Sequence, residues 1–130
     1  MFLLDTNVCI AFLNAREPAL TSRLRRAGPA HVKLCSVVKA ELLYGARASA
    51  RVDSNLGNLE RFFAAFESLP FDDRAADHYG LLRALLRREG RPIGGNDMLI
   101  AATALAHDAT LVTRDTEELS RVPGLRLDAW

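Results

Sequence analysis

The sequence predicts an α/β fold in which helices cover both faces of a central parallel sheet. Short apolar runs alternate with longer segments of helical periodicity, and this order favours a parallel sheet with crossover helices. Hydrophobic residues make up 49% and charged residues 25%, an ordinary composition for a globular protein. The 130 residues are enough for one core, and no linker, repeat or low-complexity segment divides them. We therefore expect a single domain over residues 1–130.

The first half of the chain is predicted to begin with a buried strand, FLL, and to continue into a helix capped by Asp5 or Thr6. Pro18 marks a break, and the next helix ends at Gly28. Ser36 is predicted to cap the helix after the second strand. The predicted elements are a strand at 2–4, helices at 6–13 and 19–28, a strand at 32–36, and helices at 37–49 and 55–68.

The second half is predicted to contain a long helix that Asp72 or Asp73 opens and Gly90 ends. Asn96 is predicted to cap the next helix, DMLIAATALAHD. That helix is apolar on nearly every side, so it belongs at the centre of the molecule. The predicted elements are a strand at 69–71, a helix at 73–90, a tight loop at 92–95, a helix at 97–108, a strand at 110–113 and a last strand within 125–129.

The net charge of +1 comes from 17 Lys and Arg against 16 Asp and Glu. If four acids gather in one pit, the 17 basic residues face 12 remaining acids, which leaves a surplus of five positive charges. A basic surface around an acidic pit suits a polyanionic substrate that must reach a metal ion.

Cys9 and Cys35 lie in apolar runs and at no zinc-binding spacing, so we expect two buried, reduced thiols. No apolar run reaches the roughly 18 residues that a membrane span needs. The N-terminal FLL meets Asp5 too soon to form a signal peptide. These features predict a cytoplasmic protein that does not contact a membrane.

Four acids stand beside apolar segments, where carboxylates are costly to bury. Asp5 and Asp115 follow predicted strands, and they can meet beyond the carboxyl ends if those strands are neighbours. Asp97 opens the most apolar helix, and Glu41 lies within VVKAELLYG. Each acid also has a purely structural explanation: Asp5 as a helix cap, Asp97 as an acid on a helix dipole, Asp115 as a turn former and Glu41 in a solvated stripe with Lys39.

Together these acids indicate a site for divalent cations. Mg²⁺ and Mn²⁺ prefer oxygen ligands, and carboxylates from distant segments hold such ions beside a phosphate. A bound ion polarises the phosphoryl oxygen and activates water, so no Cys or His nucleophile is required. None of His31, His78 and His107 adjoins the acids in sequence, so we expect surface or structural roles for them.

Four blocks of the sequence resemble the PIN-domain toxins of the VapC family. They are LLDTN, SVVKAELLYG, RPIGGNDMLIAATALAHDATLVTRD and RVPGLRLDAW, in this order over essentially the whole chain. The resemblance implies a PIN-like α/β/α sandwich and a metal-dependent endoribonuclease, with Mg²⁺ or Mn²⁺, that is the toxin of a type II toxin–antitoxin pair. It also implies a cognate antitoxin as partner, an RNA substrate and a homodimer.

The resemblance extends to individual residues. The family's catalytic acids match Asp5, Glu41, Asp97 and Asp115, of which all but Glu41 are implied metal ligands. Its helper hydroxyl and amide positions match Thr6, Asn7 and Thr113, which orient the acids.

The chain resembles in particular the branch that cleaves transfer RNA, including the initiator species. Members of that branch often read Asn-Asn-Thr after TLVT, where this chain has Arg-Asp-Thr. We therefore expect a more acidic ion site here. Arg83, Arg87 and Arg88 have two open interpretations, the solvated face of an amphipathic helix or contacts to RNA phosphates.

Three alternatives to this nuclease differ in the residues that they need. A receiver-like phosphoryl-accepting module needs an acidic pair and a late lysine, but Asp5 stands alone and the only lysines are Lys33 and Lys39. A haloacid-dehalogenase-like phosphatase needs Asp-x-Asp, and residues 5–7 are Asp-Thr-Asn. A degenerate PIN domain that binds RNA or a protein without cleavage stays open, although such a scaffold has no evident need for four acids.

Overall fold

The computed structural model describes residues 1–130 and contains strands and helices in alternation, which confirms the predicted α/β class. The strands are β1 Phe2–Leu4, β2 Val32–Cys35, β3 Glu67–Leu69, β4 Thr110–Val112 and β5 Leu127–Asp128. The helices are α1 Thr6–Leu13, α2 Pro18–Ala27, α3 Ser36–Arg47, α4 Val52–Ala64, α5 Asp73–Arg88, α6 Gly95–Ala106 and α7 Thr116–Leu119. All five strands are parallel and form one sheet in the order β3-β2-β1-β4-β5.

The first strand is the central one, and its pairing sets the position of the residues that follow each strand. Phe2 pairs with Val32 of β2, and Leu4 pairs with Val112 of β4. Because neighbouring parallel strands end at the same edge of the sheet, the residues after β1 and β4 emerge side by side. The two strand ends that lead to predicted acids, Asp5 and Asp115, are therefore neighbours.

Helix α6 lies in the middle of the molecule, as its apolar sequence predicts. Ile100, Ala101, Ala102 and Ala104 are buried, although they point to different sides of the helix. Helix α5 packs along α6, and one apolar cluster of 27 buried residues joins the helices to the sheet. The first turn of α6, which carries Asp97, is thus attached to a rigid part of the core.

The predicted boundary between the helix at 55–68 and the strand at 69–71 is wrong. Helix α4 starts earlier and ends at Ala64, and β3 occupies Glu67–Leu69. Residues 67–69 pair with β2, with Cys35 opposite Leu69, so tertiary pairing overrides the helical pattern of the phenylalanines. Pro70 then ends the strand, because a proline has no backbone N–H for the ladder.

Three predicted helix starts are also wrong. Ser36 is the first residue of α3, not its cap, because β2 runs directly into the helix at Cys35. Gly94, not Asn96, precedes α6. Pro18 is the first residue of α2 instead of a break before it, a position that suits proline because the N–H there has no helical partner. Neither α7 nor the short 3₁₀ turn at Pro29–His31 was predicted from the sequence.

Cys9 and Cys35 are buried free thiols, as predicted. Burial raises the pKa of both thiols, so they stay protonated and unreactive at neutral pH. No helix combines the length and the apolar character that crossing a membrane requires.

Candidate active site

Asp5 is fixed at the carboxyl end of β1 by contacts to both of its carboxylate oxygens. The Thr6 backbone N–H donates to Asp5 Oδ1 at 2.8 Å, which makes Asp5 the N-cap of α1. The Thr113 hydroxyl donates to Asp5 Oδ2 at 2.8 Å from the end of β4. Asp5 and Thr113 are both buried. The cap interpretation of Asp5 is therefore correct, and the same carboxylate also lies among the other acids.

Glu41 reaches the same edge from α3. The Thr6 hydroxyl donates to Glu41 Oε1 at 2.7 Å, so Thr6 connects Asp5 and Glu41 through its N–H and its hydroxyl. Glu41 is partly buried rather than part of a fully solvated stripe. Oε2 of Glu41 has no hydrogen-bond donor from the protein.

Three further acids converge between the start of α6 and the short helix α7. Carboxylate oxygens of Asp97, Asp115 and Glu118 lie within 4.8 Å of one another. The Glu118 N–H donates to Asp115 Oδ1 at 3.3 Å, so Asp115 caps α7. The Asp115 N–H donates to the Thr113 hydroxyl at 3.0 Å, which links these three acids to Asp5. We call Asp97, Asp115 and Glu118 the acidic triad, and the triad together with Asp5 and Glu41 the acid cluster.

Glu118 is the member of this cluster that sequence reasoning missed. Its Oε1 accepts a 2.9 Å hydrogen bond from the Gly94 N–H and so holds the loop before α6. The sequence did contain a signal, because Asp115-Thr-Glu-Glu118 has the spacing of a capping box. That spacing predicts a short helix after Asp115 and turns Glu118 toward its start.

Two acids of the cluster, Asp97 and Asp5, have raised pKa values, and burial is the largest cause in both. Burial, followed by the negative charges of Asp5, Glu118, Asp115 and Glu41, raises the pKa of Asp97 to about 6. Burial also raises the pKa of Asp5, although its hydrogen bonds from Thr113 and Thr6 act in the opposite direction. The five ion pairs of the structure lie elsewhere, so no Lys, Arg or His neutralises any acid of the cluster.

The only arginine adjacent to the cluster in sequence turns away from it. Arg114 donates to both carboxylate oxygens of Glu17, at 2.9 and 2.6 Å. The hydrogen bond from Arg114 lowers the pKa of Glu17. The guanidinium that could have compensated Asp115 is thus held by another acid.

Some predicted residues lie outside the cluster. Asn7 is exposed and its side chain makes no hydrogen bond to the acids. Arg83, Arg87 and Arg88 are exposed on α5. His107 Nε2 lies 3.0 Å from the Pro70 carbonyl, a structural contact in keeping with the prediction.

The donor set of the acid cluster fits a hard divalent cation. Every nearby ligand atom is a carboxylate oxygen, and neither a histidine nor a thiol belongs to the group. Ions such as Mg²⁺ prefer oxygen ligands, whereas zinc sites typically include nitrogen or sulfur. The triad could hold such an ion, and Asp5 and Glu41 lie next to it.

A groove adjoins the cluster at Glu41. It has a volume of about 480 Å³ and lies between α1, α3 and α4. Its walls combine the apolar Ile10, Leu13 and Leu59 with the polar Asn55 and Asn58, and Ile10 is exposed. We call it the α1–α3–α4 groove.

The chain is similar to known proteins over nearly its whole length. The family model of the PIN domain matches residues 2–125. The "tRNA(fMet)-specific endonuclease VapC" of Shigella flexneri is 39% identical, over 99% of this chain and 97% of the relative. "Ribonuclease VapC2" of Rickettsia felis is 35% identical, over 100% of this chain and 98% of the relative.

Two solved structures are similar over the whole fold. The DNA-bound VapBC complex from Salmonella typhimurium contains a chain with a TM-score of 0.95 and 35% identity, covering 99% of this chain and 97% of that chain. VapBC2 from Rickettsia felis, bound to a DNA fragment from its promoter, gives a TM-score of 0.92 and 34% identity, with coverages of 99% and 98%. These matches confirm the PIN-like sandwich that the sequence predicts.

Proposed function

The chain belongs to the PIN-domain family, as a ribonuclease of the VapC toxin group, and from that membership we propose how it acts. It hydrolyses phosphodiester bonds of RNA at the acid cluster, with Mg²⁺ or Mn²⁺ as cofactor. One observation carries the proposal. Five carboxylates from four segments of the chain meet at one edge of the sheet with no basic side chain to compensate them.

The acidic triad would hold the cation, together with Asp5. When bound, the cation supplies Lewis-acid polarisation of a phosphoryl oxygen and a lower pKa for coordinated water. Without positive charge the cluster would repel a phosphate, so the scissile phosphate can approach these acids only when the cation is bound, while the rest of the RNA can bind the basic surface without it.

The chain's own residues then orient the acids and take up a proton. Thr113 and the Thr6 N–H fix both oxygens of Asp5, and the Thr6 hydroxyl fixes one oxygen of Glu41. The second oxygen, Glu41 Oε2, has no protein donor and can accept the proton that an attacking water releases. We assign Asp5, Asp97, Asp115 and Glu118 to cation binding and Glu41 to proton transfer.

Transfer RNA is the substrate class that we propose. The relative from Shigella flexneri, which covers the whole chain, is a tRNA(fMet)-specific endonuclease. With five acids gathered at one edge, the remaining surface of this chain is basic, which suits a structured polyanion.

The partner is an antitoxin, since the similar solved structures are VapBC complexes. We propose that an apolar helix of the antitoxin lies in the α1–α3–α4 groove, in the manner of other helix-in-groove complexes. The groove ends at Glu41, so a basic residue of the antitoxin, such as Arg, can enter the acid cluster and pair with its carboxylates.

The groove can be tested with two matched charge substitutions. Ile10→Asp places a charge in the groove, whereas Leu81→Asp places one on an exposed part of α5 away from it. Ile10→Asp should weaken antitoxin binding by about 2 kcal/mol or more, and Leu81→Asp should not. Equal binding of both variants in calorimetry would remove the groove from the interface.

The metal proposal is tested by cleavage of a labelled transfer RNA by the purified chain. Excess EDTA should stop cleavage, and Mg²⁺ or Mn²⁺ added back in excess should restore it. Undiminished cleavage in EDTA would reject the metal mechanism but leave the ribonuclease assignment intact.

A further inference from the structure

A second concave site lies beside the first turn of α6, the turn that carries Asp97. It has a volume of about 560 Å³ and lies between the C-terminal half of α5, the loop after it and the first turn of α6. Gly95 and Met98 line it, and Asp97 lies between them in sequence. The loop on its rim ends at Gly94, whose N–H donates to Glu118 of the triad.

Two arginines in this pocket carry charges that no acid compensates. Arg83 and Arg87 are exposed, and neither takes part in an ion pair. Arg83 is nevertheless oriented. Its Nη1 donates to the Tyr79 hydroxyl at 2.8 Å, and its guanidinium carbon lies 5.9 Å from the centroid of the Tyr79 ring. A guanidinium held in this way keeps donors free for a phosphate.

The floor of the pocket is apolar. Leu86, Ile93 and Met98 line it, and all three are buried. The volume lies within the usual range for small-ligand sites, so the pocket can accept a base or a sugar next to a bound phosphate. The cations at the rim can bind the phosphate of a nucleotide, and the apolar floor can contact its base.

We propose that this pocket binds one nucleotide of the RNA strand next to the scissile bond, with its phosphate on Arg83 and Arg87 and its base against the apolar floor. The inference rests on the proposed ribonuclease function and extends it to substrate positioning. The pocket and the acid cluster both lie at the first turn of α6, so an RNA strand bound at the acids has the pocket within reach.

Arg88 provides a matched control within the same helix. It is exposed and unpaired like its neighbours, but it does not line the pocket. Alanine at position 83, 87 or 88 therefore removes the same charge from the same helix, and only the first two positions alter the pocket. Tyr79→Phe adds a finer test, because it keeps the ring and removes the hydroxyl that orients Arg83.

The experiment measures the binding of a fluorescein-labelled RNA stem-loop by anisotropy in EDTA, so that cleavage cannot change the probe. Arg83→Ala and Arg87→Ala should each raise Kd about tenfold and lower the slope of log Kd against log salt by about 0.7, the value of one phosphate contact on a single strand. Arg88→Ala should change Kd by less than about twofold, and Tyr79→Phe by about threefold. In Mg²⁺, the first two variants should raise KM with little change in kcat.

Three results would overturn the inference. They are an equal loss of RNA affinity in all three arginine variants, RNA binding by the Arg83 and Arg87 variants that matches the parent, and no RNA binding by the parent. If the Arg83 and Arg87 variants weaken only the complex with the antitoxin, the pocket is a protein interface instead. Failure of the proposed function has a different signature, since the parent would then not cleave RNA in Mg²⁺ whatever the pocket binds.

Discussion

The acid cluster and the corner around Asp128 both lie near β4 and both contain carboxylates. A cation pairs with the carboxylate of Asp128, whereas no cation pairs with the carboxylates of the cluster. Asp128 ends β5 with Arg23 Nη2 at 3.7 Å and the Trp130 indole N–H donating at 3.1 Å. The Arg23 guanidinium also lies 4.6 Å from the Trp130 ring centroid and 5.5 Å from that of Phe2. Asp97, in contrast, faces other carboxylates and no cation.

Asp128 therefore stabilises the fold, whereas the acids of the cluster are arranged to bind a ligand. At Asp128, charge and aromatic packing anchor the C-terminal residues to the sheet. In the acid cluster, hydroxyls and backbone amides hold the carboxylates in place and leave their repulsion uncompensated. An external cation can relieve that repulsion, whereas the Asp128 corner has no need of one.

The largest expected effect comes from exchanging one acid for its amide in each region. Asp97→Asn should lower cleavage on the order of a thousandfold, because it removes a charged ligand at the cation site. The metal-free variant should stay folded and gain about 1 kcal/mol, since one repelling charge is gone. Asp128→Asn should leave cleavage within about twofold of the parent and cost at most about 1 kcal/mol.

These expectations are tested by measuring cleavage rates and urea unfolding of the two variants. If the Asp97→Asn variant unfolds, the main role of Asp97 is to stabilise the N-terminus of α6 through the helix dipole. If Asp97→Asn and Asp128→Asn lost cleavage equally, the acid cluster and the Asp128 corner would not differ in function.

A smaller effect is expected from the hydroxyl that orients the cluster. Thr113→Val removes the donor to Asp5 and the acceptor of the Asp115 N–H, so cleavage should fall about ten- to a hundredfold. Thr103 is a matched control, because it is equally buried and its hydroxyl bonds only the Leu99 carbonyl. Thr103→Val should cost about 1 kcal/mol of stability and no activity. If both variants cleave alike, Thr113 is not a positioning residue.

The smallest effect is on the pH dependence of stability without metal. The pKa of Asp97 is raised to about 6 from 3.8, so its contribution to stability is complete below the ordinary value and is lost as pH rises through about 6. The raised pKa of Asp5 acts in the same sense. The Tm of the metal-free parent should therefore rise as pH falls from about 7 to about 5.

In the Asp97→Asn variant, the Tm should rise less as pH falls over the same range. Glu17, whose pKa the hydrogen bond from Arg114 lowers, has the opposite sign: its contribution to stability is complete above its ordinary value of 4.5 and is lost only below that value, outside this window. A Tm that falls steadily over the same range, recorded by calorimetry, would contradict the repulsion that distinguishes the cluster from the Asp128 corner.

Local patterns made much of the fold and site predictable. The ends of β1 and β4 were predictable, and so was the apolar helix that Asp97 opens. These features depend on short-range signals and on the general topology of parallel sheets. Contacts between distant segments were not predictable. Glu118 joins the site through the Gly94 N–H, and Glu17 withdraws the Arg114 side chain from Asp115, although nothing near Glu17 in sequence indicates that pairing.

The boundary of β3 illustrates the same limit. Phe62, Phe63 and Phe66 have helical spacing, and Phe62 and Phe66 do pack together with ring centroids 5.2 Å apart. The helix nevertheless ends before Phe66, because Glu67–Leu69 gain strand partners on β2. Strand pairing depends on residues over thirty positions away, which local periodicity does not contain.

The most direct test of the central claim is Mn²⁺ binding to the parent and to two neighbouring variants, measured by titration calorimetry. Glu118 belongs to the triad, while Glu117 is exposed on the same short helix and outside it. We expect saturable binding to the parent, about tenfold weaker binding to Glu118→Gln, and unchanged binding to Glu117→Gln. A parent that binds no Mn²⁺, or two variants that lose affinity equally, would contradict the claim that this uncompensated acid cluster is a divalent-cation site.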